Sequence, residues 1–348
     1  MIAIATDIHV DKDNIPEVQK SLEFLLDYCN NNRIKTLFLL GDLFTDRTGQ
    51  TQSTLLFWKR ILKKLTNEGD IDVYMIPGNH DKTNLESEDS YLDLFEGMNR
   101  VHLYQSGGVV YRHKSLFALM PYFKENGTYV ERLIALNKEV ASLTKKHNPD
   151  RVYLGTHIAV DQVRNNDGST VVNNIKPELF KMYDKVFVGH YHNEQQIDNI
   201  WYIGSLQPKD FGEDNEKGFI IIDGEHNYER IKPDFKKYIK INIDLDDVSD
   251  KSISKLREKY SSSIHNVRFV FKGTVEQLDK IDKKKFSESG IDVKKNSKAL
   301  LKSIKSASCG EIVSFNKVSI VKSFLEFCKI NRVPATKMNK GLKYIKNN

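Results

Sequence analysis

Residues 185–192 read KVFVGHYH: a short β-branched apolar run, one glycine, then two histidines separated by a single residue. Residues two apart in extended backbone point to the same side, so His190 and His192 can aim at one spot. Alone, the pair is an ordinary polar strand end. What decides the fold is that the same punctuation recurs along the chain. Candidate strands are IAIA (2–5), TLFLL (36–40), VYMI (73–76), SLFALM (115–120), VYLG (152–155), KVFVG (185–189), IWYIG (200–204) and FIIID (219–223). Amphipathic stretches lie between several of them. Helix 15–31 puts Val18, Leu22, Leu25, Leu26 and Cys29 on one face, and helix 53–65 does so with Leu55, Trp58, Ile61, Leu62 and Leu65. The alternation predicts an α/β domain whose early strands are parallel and whose later strands form a less regular mixed sheet.

In open α/β sheets, ligands bind beyond the carboxyl ends of the strands. IAIA runs into TDIH, placing Asp7 and His9 two apart. TLFLL runs into GDLFTDR with Asp42 behind a glycine, and VYMI into PGNHD with Asn79, His80 and Asp81 on a Pro-Gly turn. VYLG leads to THI and His157, and KVFVG to His190 and His192. Each block alone is a common turn or loop; together, five strand ends offer Asp, Asn and His to one sheet edge. Mixed nitrogen and oxygen donors without thiolate suit Mn, Fe or Zn better than Mg or Ca alone. Asp7, His9, Asp42, Asn79, His157, His190 and His192 exceed what one ion needs, and two ions sharing a carboxylate fit the count. His102, His113, His147, His226 and His265 follow no such pattern. Trp58 and Trp201 read as core; Asp46–Arg47 reads as a surface ion pair, with contact to phosphate as the alternative.

Composition sets the surroundings. The 348 residues are 39% hydrophobic and 29% charged, as in ordinary globular chains. No apolar run approaches the roughly 20 residues of a membrane helix, and MIAIATDIHV lacks the basic start of a signal peptide. Three scattered cysteines, Cys29, Cys309 and Cys328, suit a reducing cytoplasm and exclude a disulfide framework or a cysteine zinc site. The net charge of +6 hides a split: residues 231–348 hold 27 Lys+Arg against 13 Asp+Glu, or +14, leaving −8 for the first 230. Such asymmetry suggests a polyanionic partner for the C-terminal part.

The ordered set DIH, GDLF, GNHD, THI and GHYH resembles the calcineurin-like metallophosphoesterase superfamily over about the first 225 residues. The resemblance implies a β-sandwich flanked by helices that carries two divalent ions, Mn above all. It implies one ion among Asp7, His9, Asp42 and His192, and another among Asp42, Asn79, His157 and His190. His80 is then the unligated catalytic histidine at the scissile phosphate, with Asp81 a neighbouring acid that would orient it. The protein serine/threonine phosphatases have a glycine after the first histidine and a block ending in GNHE; DIHV and GNHD depart from both. GDLF, FALMPYF (117–123) and YIGSLQPKDFGEDNEKGF (202–219) are similar to the SbcD-type DNA exonuclease branch.

That branch implies a nuclease domain (1–232), a small α+β capping, DNA-binding domain (233–300), then a basic linker and C-terminal helix (301–348) docking on an SMC-like ATPase. The texture from 237 on agrees, reading strand, helix, strand, helix, strand: KYIKINIDL, DKSISKLREKYSS, NVRFVFKG, TVEQLDKIDKKKF and GIDVKKN. Helix 316–330 follows, with Val318, Val321, Leu325 and Cys328 in register beside Phe324 and Phe327. It can dock on a partner or pack on its own domain. The expectation is therefore a Mn-dependent nuclease acting at DNA duplex ends with 3′-to-5′ polarity, or on single strands, as a homodimer away from membranes. The rivals are a small-molecule phosphodiesterase or pyrophosphatase, and a non-catalytic DNA-end-binding scaffold.

Overall fold

The computed structural model describes residues 1–165 and 168–298, together with Phe324, Leu325, Cys328, Met338, Asn339 and Leu342. In chain order the first part runs β1 (Ile2–Ala5), α1 (Ile15–Asn31), β2 (Thr36–Leu40), α2 (Gln52–Lys63), β3 (Asp72–Ile76), β4 (Val101–Leu103), β5 (Gly108–Arg112) and β6 (Ser115–Met120). It continues with α3 (Tyr129–His147), β7 (Arg151–His157), β8 (Lys185–Gly189), β9 (Gln195–Ile197), β10 (Ile200–Tyr202), β11 (Phe219–Ile222) and β12 (Tyr228–Ile231). Two six-stranded sheets result, in the orders β12-β11-β1-β2-β3-β4 and β5-β6-β7-β8-β10-β9. Both are mixed: the first is parallel from β1 to β4 with antiparallel β11 and β12 on one side, and the second is parallel from β6 to β10 with an antiparallel strand at each edge. The early strands β1 to β4 are parallel and the later strands β5 to β10 form a mixed sheet, as the sequence predicts. The late strand β11 returns to pair antiparallel with β1, while β6, β7 and β8 repeat the parallel pattern in the second sheet.

The central strands are apolar throughout because both of their faces are buried. Ile2, Ile4, Phe38, Leu40, Tyr74 and Ile76 of one sheet meet Phe117, Leu119, Tyr153 and Phe187 of the other in the middle of the sandwich. The alternate residues Ala3, Ala5, Leu37, Leu39, Val73 and Met75 face α1 and α2. Leu116, Ala118, Val152, Leu154, Val186 and Val188 face α3. The period of two thus sorts each strand between a sheet–sheet core and a sheet–helix core, giving a helix–sheet–sheet–helix sandwich.

Each helix has a local cause. Pro16 sits in the first turn of α1, and Val18, Leu22, Leu25, Leu26 and Cys29 are its buried stripe. Thr51 caps α2 by accepting the Thr54 N–H. Helix α3 buries Tyr129, Leu133, Leu136 and Val140, and stops where Asn148 turns left-handed at φ 44°. Trp58 is fully buried, whereas Trp201 is partly buried at the margin of the inter-sheet core and gives its indole N–H to Glu194.

The C-terminal part contains β13 (Tyr238–Asp244), α4 (Asp250–Tyr260), β14 (Asn266–Gly273), the short helices α5 (Val275–Asp279) and α6 (Lys283–Ser287), and β15 (Ile291–Ser297). Its three strands form a sheet in the order β13-β14-β15. The chain divides into two compact units: Met1–Ile241 with Asp250–Phe269 and Lys283–Val293, and Asn242–Ser249 with Val270–Asp282 and the chain from Lys294. Of the expected helix 316–330, Phe324, Leu325 and Cys328 are helical; Val318, Val321 and Phe327 lie outside the described residues, as does Cys309. Among the described residues, no helix is long and apolar enough to cross a membrane.

Register places the site. β1 and β2 pair Ala5 with Leu39, β2 and β3 pair Leu40 with Ile76, and β7 and β8 pair His157 with Gly189. These parallel strands end level with one another, and the polar residues leave together from one edge of the sandwich.

Candidate metal centre

Past the ends of β1 and β2 the two loops continue to pair. Asp7, His9 and Val10 donate their N–H groups to the carbonyls of Gly41, Asp42 and Leu43 at 3.1, 3.0 and 2.9 Å. This holds Asp7, His9 and Asp42 at fixed positions. All three, and His190, adopt positive φ, at 52°, 52°, 53° and 91°. Non-glycine residues rarely do so, and strain of this kind collects at functional sites. Close backbone approach needs two of the glycines read in the sequence. A Cβ on Gly78 would overlap the Asp42 carboxylate and backbone nitrogen, and one on Gly189 would overlap Thr6 Oγ1 and the His157 ring.

The ring nitrogens fall into a consistent pattern. His9 Nδ1 donates to the Phe44 carbonyl at 3.2 Å and His192 Nδ1 to Glu213 Oε1 at 2.5 Å. Each Nε2 therefore carries a lone pair, and the two Nε2 atoms face each other at 2.9 Å. Facing lone pairs at that distance need a cation between them, a proton or a metal ion. His157 likewise donates through Nδ1 to the Leu40 carbonyl at 2.8 Å, leaving Nε2 toward Asn79 Oδ1 at 3.2 Å and Asp42 Oδ2 at 3.3 Å. Asn79 Oδ1 also meets His190 Nδ1 at 2.8 Å.

Asp42 Oδ2 lies between the two groups, 3.6 Å from His9 Nε2 and 3.3 Å from His157 Nε2. Asp7 Oδ1 is 3.8 Å from both His9 Nε2 and His192 Nε2. Donor atoms about 2.1 Å from a common ion sit about 3.0–3.4 Å apart, close to these separations. Asp7, His9 and His192 form one set able to hold a divalent ion, and Asp7, Asp42 and His157 another. The histidine–carboxylate and histidine–carbonyl bonds behind them are the usual supports of metal-binding imidazoles.

Charge follows the same logic. Burial pushes His9 well below its ordinary value and His190 down to about 3, so both rings are neutral. Burial also opposes ionisation of Asp42, but the surrounding His157, His9 and His80 hold its carboxyl well below the usual range. Burial alone would lower His157; the Asp42 charge and hydrogen bond outweigh it and raise it to about 9. The cluster thus draws positive charge to the Asp42–His157 contact.

Residues 1–194 match the family model described as calcineurin-like phosphoesterase. The chain belongs to that family. Among curated proteins it is similar to Exonuclease subunit 1 of Enterobacteria phage T4, 25% identical over 272 residues that span 71% of this chain and 75% of the phage protein. It is also similar to the SbcD subunit of the nuclease SbcCD from Staphylococcus epidermidis, 24% identical over 211 residues, 55% of this chain and 56% of that one. A solved structure titled GAP50, the anchor in the inner membrane complex of Plasmodium, covers 63% of this chain and 79% of its own, with 14% identity and a TM-score of 0.42.

As a calcineurin-like phosphoesterase, the chain brings all seven expected metal-binding residues and His80 to one edge. His80 is held twice: its N–H donates to Asp42 Oδ1 at 2.8 Å and its Nδ1 to the Thr45 carbonyl at 2.6 Å. Its ring stands edge-on to His9 with centroids 5.0 Å apart. Asp81 does not orient it, which corrects the sequence expectation. The Asp81 carboxylate instead accepts the N–H groups of Leu43 at 2.9 Å, Phe44 at 3.1 Å and Gly78 at 2.8 Å. It ties the GDLF loop to the PGNHD loop and so sets the spacing of Asp42 from Asn79 and His80. Sequence reasoning also passes over Glu213 and Lys217. Lys217 is 1% exposed, reaches the His192 carbonyl at 2.6 Å and pairs with Glu213 at 3.3 Å. Their i, i+4 spacing in EDNEK is the available signal, though it reads equally as a surface pair.

Proposed function

We propose that this calcineurin-like phosphoesterase is a two-metal-ion DNA nuclease that hydrolyses phosphodiester bonds at or near duplex ends. Asp7, His9, His192 and Asp42 would hold one ion, and Asp42, Asn79, His157 and His190 the other. The observation that supports this reading is Asp42 Oδ2 lying between His9 Nε2 and His157 Nε2, with the Nε2 lone pairs of His9 and His192 turned inward and His80 fixed alongside. Divalent ions bound there, manganese in our reading, supply an activated water and neutralise charge on the phosphoryl oxygens.

The chain's own residues supply the rest. Asp42 fixes the His80 backbone through Oδ1 while Oδ2 faces the ligand cluster, so the catalytic ring is indexed to the ions. The Thr45 carbonyl accepts from Nδ1 and stabilises the imidazolium, whose Nε2–H donates to the departing 3′-oxygen. The names of the relatives support the substrate class and membership of a multi-subunit nuclease. The basic segment from 233 on is assigned to the DNA backbone, where Lys and Arg dominate affinity. Docking of the region from 301 on an SMC-like ATPase, 3′-to-5′ polarity, single-strand cleavage and dimerisation belong to the same proposal.

The test is hydrolysis of an end-labelled linear duplex with and without manganese by the wild type, His80→Asn and Asp42→Ala, beside a bis-aryl phosphodiester. Manganese-dependent shortening lost in both variants supports the proposal. Hydrolysis of the small diester with DNA untouched refutes the nuclease and favours a small-molecule phosphodiesterase.

A further inference from the structure

Arg47 presents a guanidinium with nothing to hold. Its Nε is sealed from water without a partner, and among the described residues the group makes no hydrogen bond or ion pair. The surface pair with Asp46 expected from the sequence is not formed. The Asp46 carboxylate takes the N–H and hydroxyl of Thr48 at 2.8 and 2.7 Å. The backbone of Arg47 is nevertheless fixed, since its carbonyl accepts from the Tyr91 hydroxyl at 3.1 Å. Two residues earlier, the Thr45 carbonyl holds His80. The Arg47 charge acts on Tyr122, whose ring lies 6.0 Å from His190 and 6.3 Å from His157, centroid to centroid. The guanidinium therefore belongs to the side of the cluster formed by His80, His157 and His190.

Lys209 is a second cation, half-buried, beside His192. Its N–H donates to Glu213 Oε2 at 3.3 Å, the same carboxylate that holds His192. Its ammonium makes no hydrogen bond or ion pair among the described residues, and its charge acts on His9 and His192. The adjacent acid again looks elsewhere, because Asp210 accepts the Gly212 N–H. A buried donor left unpaired, as Arg47 Nε is, is unfavourable until a partner arrives. Here each cation has a neighbouring carboxylate, and each carboxylate is tied into its own loop. Two unpaired cations at opposite ends of a phosphoesterase cluster suit anions that arrive with the substrate.

We infer that Arg47 and Lys209 bind the phosphates of a nucleic-acid strand on either side of the one cleaved. Arg47 offers a forked pair of N–H groups on the His80 side, and Lys209 a point charge on the His192 side. The inference deepens the nuclease reading and rests on it. It sets the substrate as a nucleic-acid strand with phosphates on both sides of the scissile one rather than a single diester.

The test is binding without turnover: anisotropy of a labelled short duplex in EDTA across a salt series. The proteins are the wild type, Arg47→Ala, Arg47→Lys, Lys209→Ala and, as control, Lys138→Ala, an exposed position on α3. Arg47→Ala and Lys209→Ala should each weaken binding about tenfold and lower the slope of log K against log salt by about 0.9. Arg47→Lys should keep the slope and lose part of the affinity, which keeps the test open if the alanine variant misfolds. Wild-type affinity and slope in both alanine variants, with DNA cleaved normally by the wild type, overturn the inference alone. A wild type that hydrolyses a small diester but neither binds nor cuts DNA overturns the nuclease reading and this inference with it.

Discussion

Replacing Glu213 with Gln keeps the shape of the side chain and removes one charge from a pair in which both partners are 1% exposed. Breaking a buried ion pair by removing one member costs about 3–5 kcal/mol. Lys217 retains the His192 carbonyl at 2.6 Å, Asn193 Oδ1 at 3.0 Å and Asp214 at 3.5 Å. The lower end of that range, about 3 kcal/mol, is therefore expected. The same change weakens the acceptor that fixes the proton of His192 on Nδ1 and leaves Nε2 free for an ion. Loss of such a support costs about 10- to 100-fold in metal affinity. Urea unfolding reads the first effect, and manganese titration against a competing chelator reads the second. A Glu213→Gln protein with unchanged stability and wild-type manganese affinity would refute the assignment of Glu213 as the support of His192.

Three further outcomes follow from particular contacts. Gly78→Ala places a methyl group against the Asp42 carboxylate; it should abolish manganese binding at the shared position while the far-ultraviolet spectrum stays native, and calorimetric titration checks this. Phe38→Ala removes a fully buried ring stacked on Phe117 at 4.7 Å between the sheets, and should cost about 3–5 kcal/mol in denaturant unfolding. Partial burial pushes the Glu86 carboxyl up, but the N–H groups of Lys124 and Thr128 and the Thr128 hydroxyl outweigh it and hold it below its ordinary 4.5. A depressed carboxyl stabilises the fold above its unfolded pKa and loses that contribution as pH falls through the folded one. Glu86→Gln should therefore narrow the stability difference between pH 6 and pH 3.5, about a unit below the ordinary carboxyl range; an unchanged difference would remove Glu86 from the acid response.

Much of the site is legible because its spacing is dictated by parallel strands. Once IAIA, TLFLL, VYMI, VYLG and KVFVG are read as strands of one domain, the residues after them must emerge near each other, as Asp7, Asp42, Asn79, His157 and His190 do. What the sequence hides is set by tertiary structure. Four residues at the cluster have left-handed backbone, which no local propensity of Asp or His demands. Asp81 and His80 are neighbours in GNHD, yet the fold turns Asp81 inward to three backbone N–H groups and His80 outward to Thr45. Glu213 reaches His192 from 21 residues away. Strands β4 and β9 are three residues long and half-buried, too short for a period to register. Helix α3 buries only four of its nineteen positions, while Val130, Ile134, Ala135, Ala141 and Leu143 are apolar but not buried, which blurs its stripe.

The central claim is that two ions share Asp42. Manganese content after gel filtration, read together with the low-temperature electron paramagnetic resonance spectrum, tests it most directly. The expected result is two manganese ions per chain with the spectrum of an exchange-coupled pair, and loss of coupling in Asp42→Asn. A single ion per chain, or two ions without coupling in the wild type, would contradict it.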